Sequence, residues 1–204
     1  FERGHTDLGP DKDQEGYFQW KGSVPNVFEI SLPTESKVTG SMSFVVMEEN
    51  TADVSIADSA TPNPATTTKV INATTDVADL LVDSSEIDGF FTQEVSMTID
   101  NGTNGKTAVA KKGFAKIDPG QLSITGTLSG YLEDLSFYEK YKANGYMSIK
   151  FSLKDPDSAT KYSFELPKVQ ITNDAPDASQ QGESVSEQID FRALPGADGH
   201  MIKV

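Results

Sequence analysis

Gly126-Thr-Leu-Ser-Gly-Tyr-Leu-Glu-Asp-Leu-Ser-Phe-Tyr-Glu-Lys-Tyr141 carries an alternating strand straight into a short amphipathic helix. Leu122, Ile124 and Leu128 fall on one side of the strand, and Ser123, Thr125, Thr127 and Ser129 on the other. That period of two marks a half-buried strand. The spacing then lengthens and predicts a helix over 132–143. Tyr131, Leu135, Tyr138 and Tyr141 share one side of it, with Phe137 at the edge. Glu133 and Asp134 in the first turn and Lys140 and Lys142 in the last suit the helix dipole. Asn144-Gly145 supplies a left-handed stop.

Strand patterns surround this segment. Downstream, Met147, Ile149, Phe151 and Leu153 form one face. Tyr162, Phe164 and Leu166 form another, continued by Val169 and Ile171 after Pro167; Ile189, Phe191 and Ala193 follow. Asn173 to Ser184 reads as a polar loop. Upstream, Phe28, Ile30 and Leu32 alternate, as do Val38, Met42, Phe44 and Val46, with Gly40 on the same face. Val95, Met97 and Ile99 repeat the pattern. Residues 6–16 make a polar turn, and Asp100–Gly105 holds two Asn-Gly pairs suited to tight turns. The expected fold is mainly β, an antiparallel β-sandwich or barrel with one packed α-helix.

Three stretches differ in kind. Residues 1–46 read as strands that complete or join a domain, and 92–204 as the main domain. Residues 47–91, rich in Thr, Ala, Ser and Asp, read as an exposed insertion with one turn of helix at Asp76–Leu81. A weak internal similarity links Phe28–Phe44 to Val95–Gly130. Each is a strand, a loop, then a strand with a Thr-Gly-Ser or Thr-Gly-Thr step.

The chain of 204 residues carries a net charge of −14 and no cysteine. Disulfides and thiolate metal sites are therefore excluded. The negative balance opposes nucleic-acid binding, which needs cations to neutralise phosphates; it suits solubility, or a surface that repels DNA. Residues 105–117 reverse the trend, with 4 basic groups and no acidic one, whereas 51–104 hold 1 basic and 9 acidic groups. No apolar run reaches the length of a membrane span.

Lys37-Val-Thr-Gly-Ser-Met-Ser-Phe44, Gly126-Thr-Leu-Ser-Gly-Tyr-Leu-Glu-Asp134, Ser163-Phe-Glu-Leu-Pro-Lys-Val169 and Asp190-Phe-Arg-Ala-Leu194 occur in an order that resembles the major tail tube proteins of long-tailed, siphovirus-type bacteriophages. So do Phe1-Glu-Arg-Gly-His-Thr-Asp-Leu-Gly9 and Tyr17-Phe-Gln19. The resemblance implies a structural virion protein, assembled in the host cytoplasm, that stacks as rings into a channel for DNA ejection. Its partners are then further copies of itself, in rings of six tube domains from six chains or from three two-domain chains. Tape measure, terminator and distal tail proteins are the other implied partners. DNA passes through without specific binding, and no membrane and no cofactor are implied. Relatives of this kind begin with a further, related half, so the N-terminal part is expected to be missing here. The basic segment falls where the family's stacking loop lies, which makes Lys106, Lys111, Lys112 and Lys116 candidate inter-ring contacts. The bland alternative is a solvated hairpin tip.

Other readings stay open on the residues. A monomeric β-sandwich binding module of carbohydrate or adhesin type requires an aromatic platform, which Trp20 and scattered tyrosines alone would supply. A non-stacking tail ring, such as a terminator or baseplate protein, predicts one closed ring. Catalysis lacks a base: His5 and His200 lie near opposite ends of the chain. Asp7, Asp11, Asp13 and Glu15 cluster as hard oxygen ligands would for calcium, but their spacing departs from the EF-hand and a solvated acidic turn explains them. Glu133-Asp134 is accounted for by the helix dipole. Asn72-Ala-Thr and Asn101-Gly-Thr fit a glycosylation pattern with no sign of secretion beside it.

Overall fold

The computed structural model describes residues 1–11, 14–57, 64–87, 89–177 and 184–204. Strands run Glu2–Leu8 (β1), Gln14–Lys21 (β2), Val24–Pro33 (β3), Thr39–Val45 (β4), Glu48–Ala52 (β5), Val77–Val82 (β6), Ser85–Glu86 (β7), Phe90–Asp100 (β8), Asn104–Lys106 (β9), Lys116–Asp118 (β10), Ser123–Leu132 (β11), Tyr146–Lys154 (β12), Lys161–Asp177 (β13) and Ser186–Ala193 (β14), with helix α1 at Ser136–Lys142. Among the described residues the protein is mainly β, with large antiparallel sheets and one short helix, consistent with the expected sandwich.

The chain divides into two compact units. One comprises Phe1–Val27, Met42–Thr67 and Asn101–Leu122; the other comprises Phe28–Ser41, Thr68–Asp100 and Ser123–Val204. Both draw on more than one of the stretches 1–46, 47–91 and 92–204, because strand pairing joins segments far apart in sequence.

The second unit holds the core. Its sheet has nine strands in the order β4-β3-β8-β11-β14-β13-β12-β6-β7. Alternate side chains from these strands meet in one cluster: Ile30 and Leu32, Val95 and Met97, Ile124 and Leu128, Ile189 and Phe191, Leu166, Val169 and Ile171, and the row from Met147 to Leu153. Burying apolar area of this kind contributes roughly 25 cal/mol per Å². The segments of the weak internal similarity form neighbouring strand pairs, β3 with β4 and β8 with β11. Gly126 of β11 permits close strand approach. A Cβ there would lie 2.3 Å from the Ser96 carbonyl oxygen and 2.4 Å from Phe191 Cζ.

Irregularities explain where simple alternation fails. In β13 the inward side switches from Leu166 to Val169, because the register against β12 shifts between Met147 and Ile149. Pro167, which has no N–H for the ladder, occupies this bulge. The expected polar loop from Asn173 is shorter than predicted: β13 continues to Asp177 and β14 starts at Ser186. Residues 178–183 of that loop lie outside the described residues.

The helix is shorter and faces differently than its periodicity predicts. Tyr131 and Leu132 end β11, Glu133 and Asp134 precede the helix, and α1 begins at Ser136. Phe137, expected at the edge, is 4% exposed and meets Phe90 edge-on at 5.3 Å between ring centres. Leu135, expected inward, is 56% exposed. Tyr141, one turn beyond Phe137, packs against the core. The stop is as predicted. Asn144 adopts φ 49°, Gly145 N–H donates to Lys140 O at 2.9 Å and Asn144 N–H to Tyr141 O at 3.0 Å. This double bond pattern is a Schellman close.

The stretch 47–91 also departs from expectation. The predicted helical turn at Asp76–Leu81 is strand β6, which pairs with β12 from Val82↔Ile149 to Val77↔Leu153. Only Leu80 and Val82 keep period two; a register shift against β12 between Ser152 and Leu153 breaks the alternation before Val77, which also packs against the core. Asp83 and Ser84, at φ 51° and 66°, close the β6–β7 hairpin as a two-residue turn. Residues 65–70 are exposed and lack regular structure, and 58–63 lie outside the described residues.

In the first unit, β1, β2 and β5 form a three-stranded sheet. Gln19 is buried, and its Nε2 donates to Glu2 Oε2 and Val54 O, both at 3.0 Å. Glu2 also accepts from Ser55 Oγ and Ile56 N–H, and these bonds hold its carboxyl below the ordinary value. Phe1 stacks obliquely on Phe44 at 4.4 Å. Met42, expected inward with Phe44, is 50% exposed; it lies on β4, the outer strand of the nine.

Candidate assembly surface

The basic segment folds as a hairpin. β9 and β10 pair antiparallel, Lys106 with Lys116, Ile117 with Gly105 and Asp118 with Asn104. Asn26 ties down its approach, accepting at Oδ1 from Thr103 N–H at 2.9 Å and at its carbonyl from Asn101 N–H at 2.9 Å. Farther along, Phe114 N–H donates to Met47 O at 2.9 Å and Ala115 N–H to Lys106 O at 2.7 Å. Gly113, at φ 80°, passes so close to Met47 that a Cβ would lie 2.3 Å from its carbonyl oxygen. Backbone ties thus hold both ends of the excursion.

All four predicted lysines are exposed. Lys106 and Lys116 are cross-strand partners, while Lys111 and Lys112 lie in the connection at the tip beside a fully exposed Val109. Lys116 Nζ lies 2.5 Å from Asp118 Oδ1, and this hydrogen bond holds the Asp118 carboxyl below its ordinary value. The fold thus brings two of the four lysines into register and sets the other two at the turn. Asn-Gly at 104–105 is strand rather than turn; Gly102, at φ 57°, supplies the left-handed position.

A second surface is the polar side of the nine-stranded sheet, opposite the core. Three rows cross β8, β11 and β14 in register: Thr98, Thr125 and Arg192; Ser96, Thr127 and Asp190; Glu94, Ser129 and Gln188. Side-chain hydrogen bonds order it. Ser96 Oγ and Thr127 Oγ1 are 2.6 Å apart, Ser31 Oγ donates to Glu94 Oε1 at 2.9 Å, and Gln188 Nε2 donates to Asp190 Oδ1 at 3.1 Å. These rows contain two acids and one base among small hydroxyl and amide side chains.

The remaining sequence candidates fall apart in space or explain themselves locally. His5 lies on β1 edge-on to Phe18, and His200 Nδ1 sits 3.6 Å from Asp198 Oδ2. Glu15 accepts from Tyr17 Oη, and Asp13 lies outside the described residues. Among the described residues no group of three or more His, Cys, Asp or Glu side chains is arranged to hold a metal ion. Asp134 lies just before the N-cap Leu135 of α1 and accepts from Ser136 N–H at 2.9 Å. Trp20 is half-buried with its Nε1 donating to Glu49.

Sequence reading missed one group. Glu187 and Asp174 point into the core, 1% and 6% exposed. Glu187 stands at an inward position in register with Ile189 and Phe191, so its burial was readable from period alone. Asp174 was not, since a bulge turns it inward.

The family model described as phage tail tube protein matches residues 1–193, and the chain belongs to that family. It is a structural component of phage tails. No curated protein matches the chain.

Proposed function

We propose that this chain is the repeating subunit of a siphovirus-type tail tube, stacking as rings around a channel for DNA ejection. The observation that carries the reading is the family match across residues 1–193. The net charge of −14 agrees with a conduit that passes DNA without holding it. The role is mechanical rather than catalytic, with three or six chains per ring and other tail proteins at the ends, assembled in the host cytoplasm. The polar rows of β8, β11 and β14 line the channel in this reading. Their hydroxyls offer water a continuous surface and offer phosphate a single cation, Arg192.

The β9–β10 hairpin then docks on the next ring, Lys106, Lys111, Lys112 and Lys116 meeting an acidic face. Complementary charge sets register and encounter rate more than affinity. The hairpin's backbone ties support this, since a preformed element loses less freedom on docking. Negative-stain electron microscopy of the full-length protein at high concentration tests the reading. Long hollow tubes are expected. Single closed rings turn the assignment to a terminator or baseplate ring, and dispersed monomers overturn it.

A further inference from the structure

Asp174 and Glu187 sit on the neighbouring strands β13 and β14. Asp174 is the register partner of Ile189 and Glu187 of Pro176, so the two acids are diagonal neighbours near the loop end of the ladder. Diagonal side chains of this length reach each other across an antiparallel pair. A register shift between Ile171 and Asn173 turns Asp174 into the core, whereas unbroken alternation from Ile171 would face it outward. Bulges commonly re-aim a side chain in this way. On the other flank Glu187 is opposite Gly130 of β11. Gly130 abuts the Phe90 ring, where a Cβ would come within 2.8 Å of Cε1.

None of the four carboxylate oxygens of this pair has a donor among the described residues. A buried carboxylate without a donor is costly, and two side by side cannot both ionise cheaply. One proton resolves both problems, giving an O–H on one acid and an acceptor on the other. The charges acting on Glu187 are both negative: Asp174 from β13 and Asp134 from the turn before α1. β11 presents the uncharged Gly130.

We propose that Asp174 and Glu187 hold one proton between them, and that this proton fastens the loop end of the β13–β14 ladder. Deprotonation then loosens the end of the ladder that carries the 178–183 connection. The device belongs to the single chain and does not rest on the tube reading.

Burial first, then the hydrogen bond and charge of Asp174 and the charge of Asp134, push the Glu187 carboxyl up to about 8. Its ordinary value is 4.5. A raised carboxyl binds its proton more tightly in the fold than in the open chain. Its contribution is therefore complete below 4.5 and is lost as pH rises toward about 8. Each pH unit inside that window shifts the opening equilibrium about tenfold.

The test is the unfolding equilibrium of the full chain in urea between pH 5.5 and 7.5, for wild type, Glu187→Gln and Asp174→Asn. Glutamine keeps the shape of the protonated acid and cannot ionise. Over this range the wild-type unfolding constant should rise about a hundredfold more than that of Glu187→Gln. Asp174→Asn removes the neighbouring charge and should shrink the rise as well. Equal pH dependence in wild type and Glu187→Gln overturns the proposal. If Glu187→Gln fails to fold, wild-type dependence matching that of Asp174→Asn overturns it instead. Amide exchange over 172–177 and 186–189, corrected for intrinsic rates, locates the opening. Loss of protection with rising pH there supports the proposal, and loss confined elsewhere counts against it.

Discussion

Lys106 and Lys116 are direct cross-strand partners in the β9–β10 hairpin. Like charges in that relation destabilise a strand pair by a few tenths of a kcal/mol or more. Asp118 pairs directly with Lys116 and its charge also reaches Lys106, but a single exposed carboxylate of this kind contributes little against four lysines. The hairpin is thus built with uncompensated positive charge on a strongly acidic chain.

Replacing Lys106, Lys111, Lys112 and Lys116 together by Glu should weaken stacking, most visibly at low salt where screening is least. Sedimentation of assembled material across a salt series measures it. Assembly that is unchanged at every salt concentration removes the lysines from the interface.

Gly126→Ala should destabilise the second unit by about 1–3 kcal/mol, the usual result of overpacking. The added Cβ meets the Ser96 carbonyl oxygen and the Phe191 ring, neither of which can step aside without moving a strand. Urea unfolding reads the difference; a neutral result means that β8 and β11 yield more than their close approach suggests.

Phe137→Ala should cost about 3–5 kcal/mol, as large aromatic truncations in cores do. Leu135→Ala should stay within about 0.5 kcal/mol, because that side chain is exposed. Thermal midpoints of the two variants decide which residue anchors α1. The reverse order would restore the face predicted from periodicity.

Asp83 is one of the carboxyls held below their ordinary values that contribute to stability on the acid side. Burial acts to raise its carboxyl, but hydrogen bonds from Lys140 and the Ser148 N–H and the charge of Lys140 outweigh it, leaving it below the ordinary 3.8. A depressed carboxyl stabilises above its unfolded value and loses that contribution as pH falls through the folded one. Asp83→Asn should therefore be less stable than wild type at pH 6 and converge with it as pH drops below 3.8. A gap that persists to the lowest pH assigns the effect to the turn rather than to the charge.

Much of the core was legible because most strands keep period two. Phe28 to Leu32, Val95 to Ile99, Met147 to Leu153 and Ile189 to Ala193 needed only alternation. Reading failed where backbone geometry intervened. The bulges at Pro167 and after Ile171 switch the inward side of β13. The strand β11 consumes Tyr131 and Leu132, which periodicity alone assigns to the helix. Strand β6 was hidden because its stability comes from pairing with β12, not from its own residues.

Residue order is enough to set the strand-rich class, the stop at Asn144 and the concentration of positive charge at 105–117. These follow from local spacing and composition, which act over a few residues. Tertiary structure alone decided that Phe137 rather than Leu135 anchors the helix, that Lys106 stands opposite Lys116, and that Asp174 meets Glu187 inside the fold. Each depends on register between strands distant in the chain. Shifting register by one residue reverses every side chain, so no local pattern can fix it.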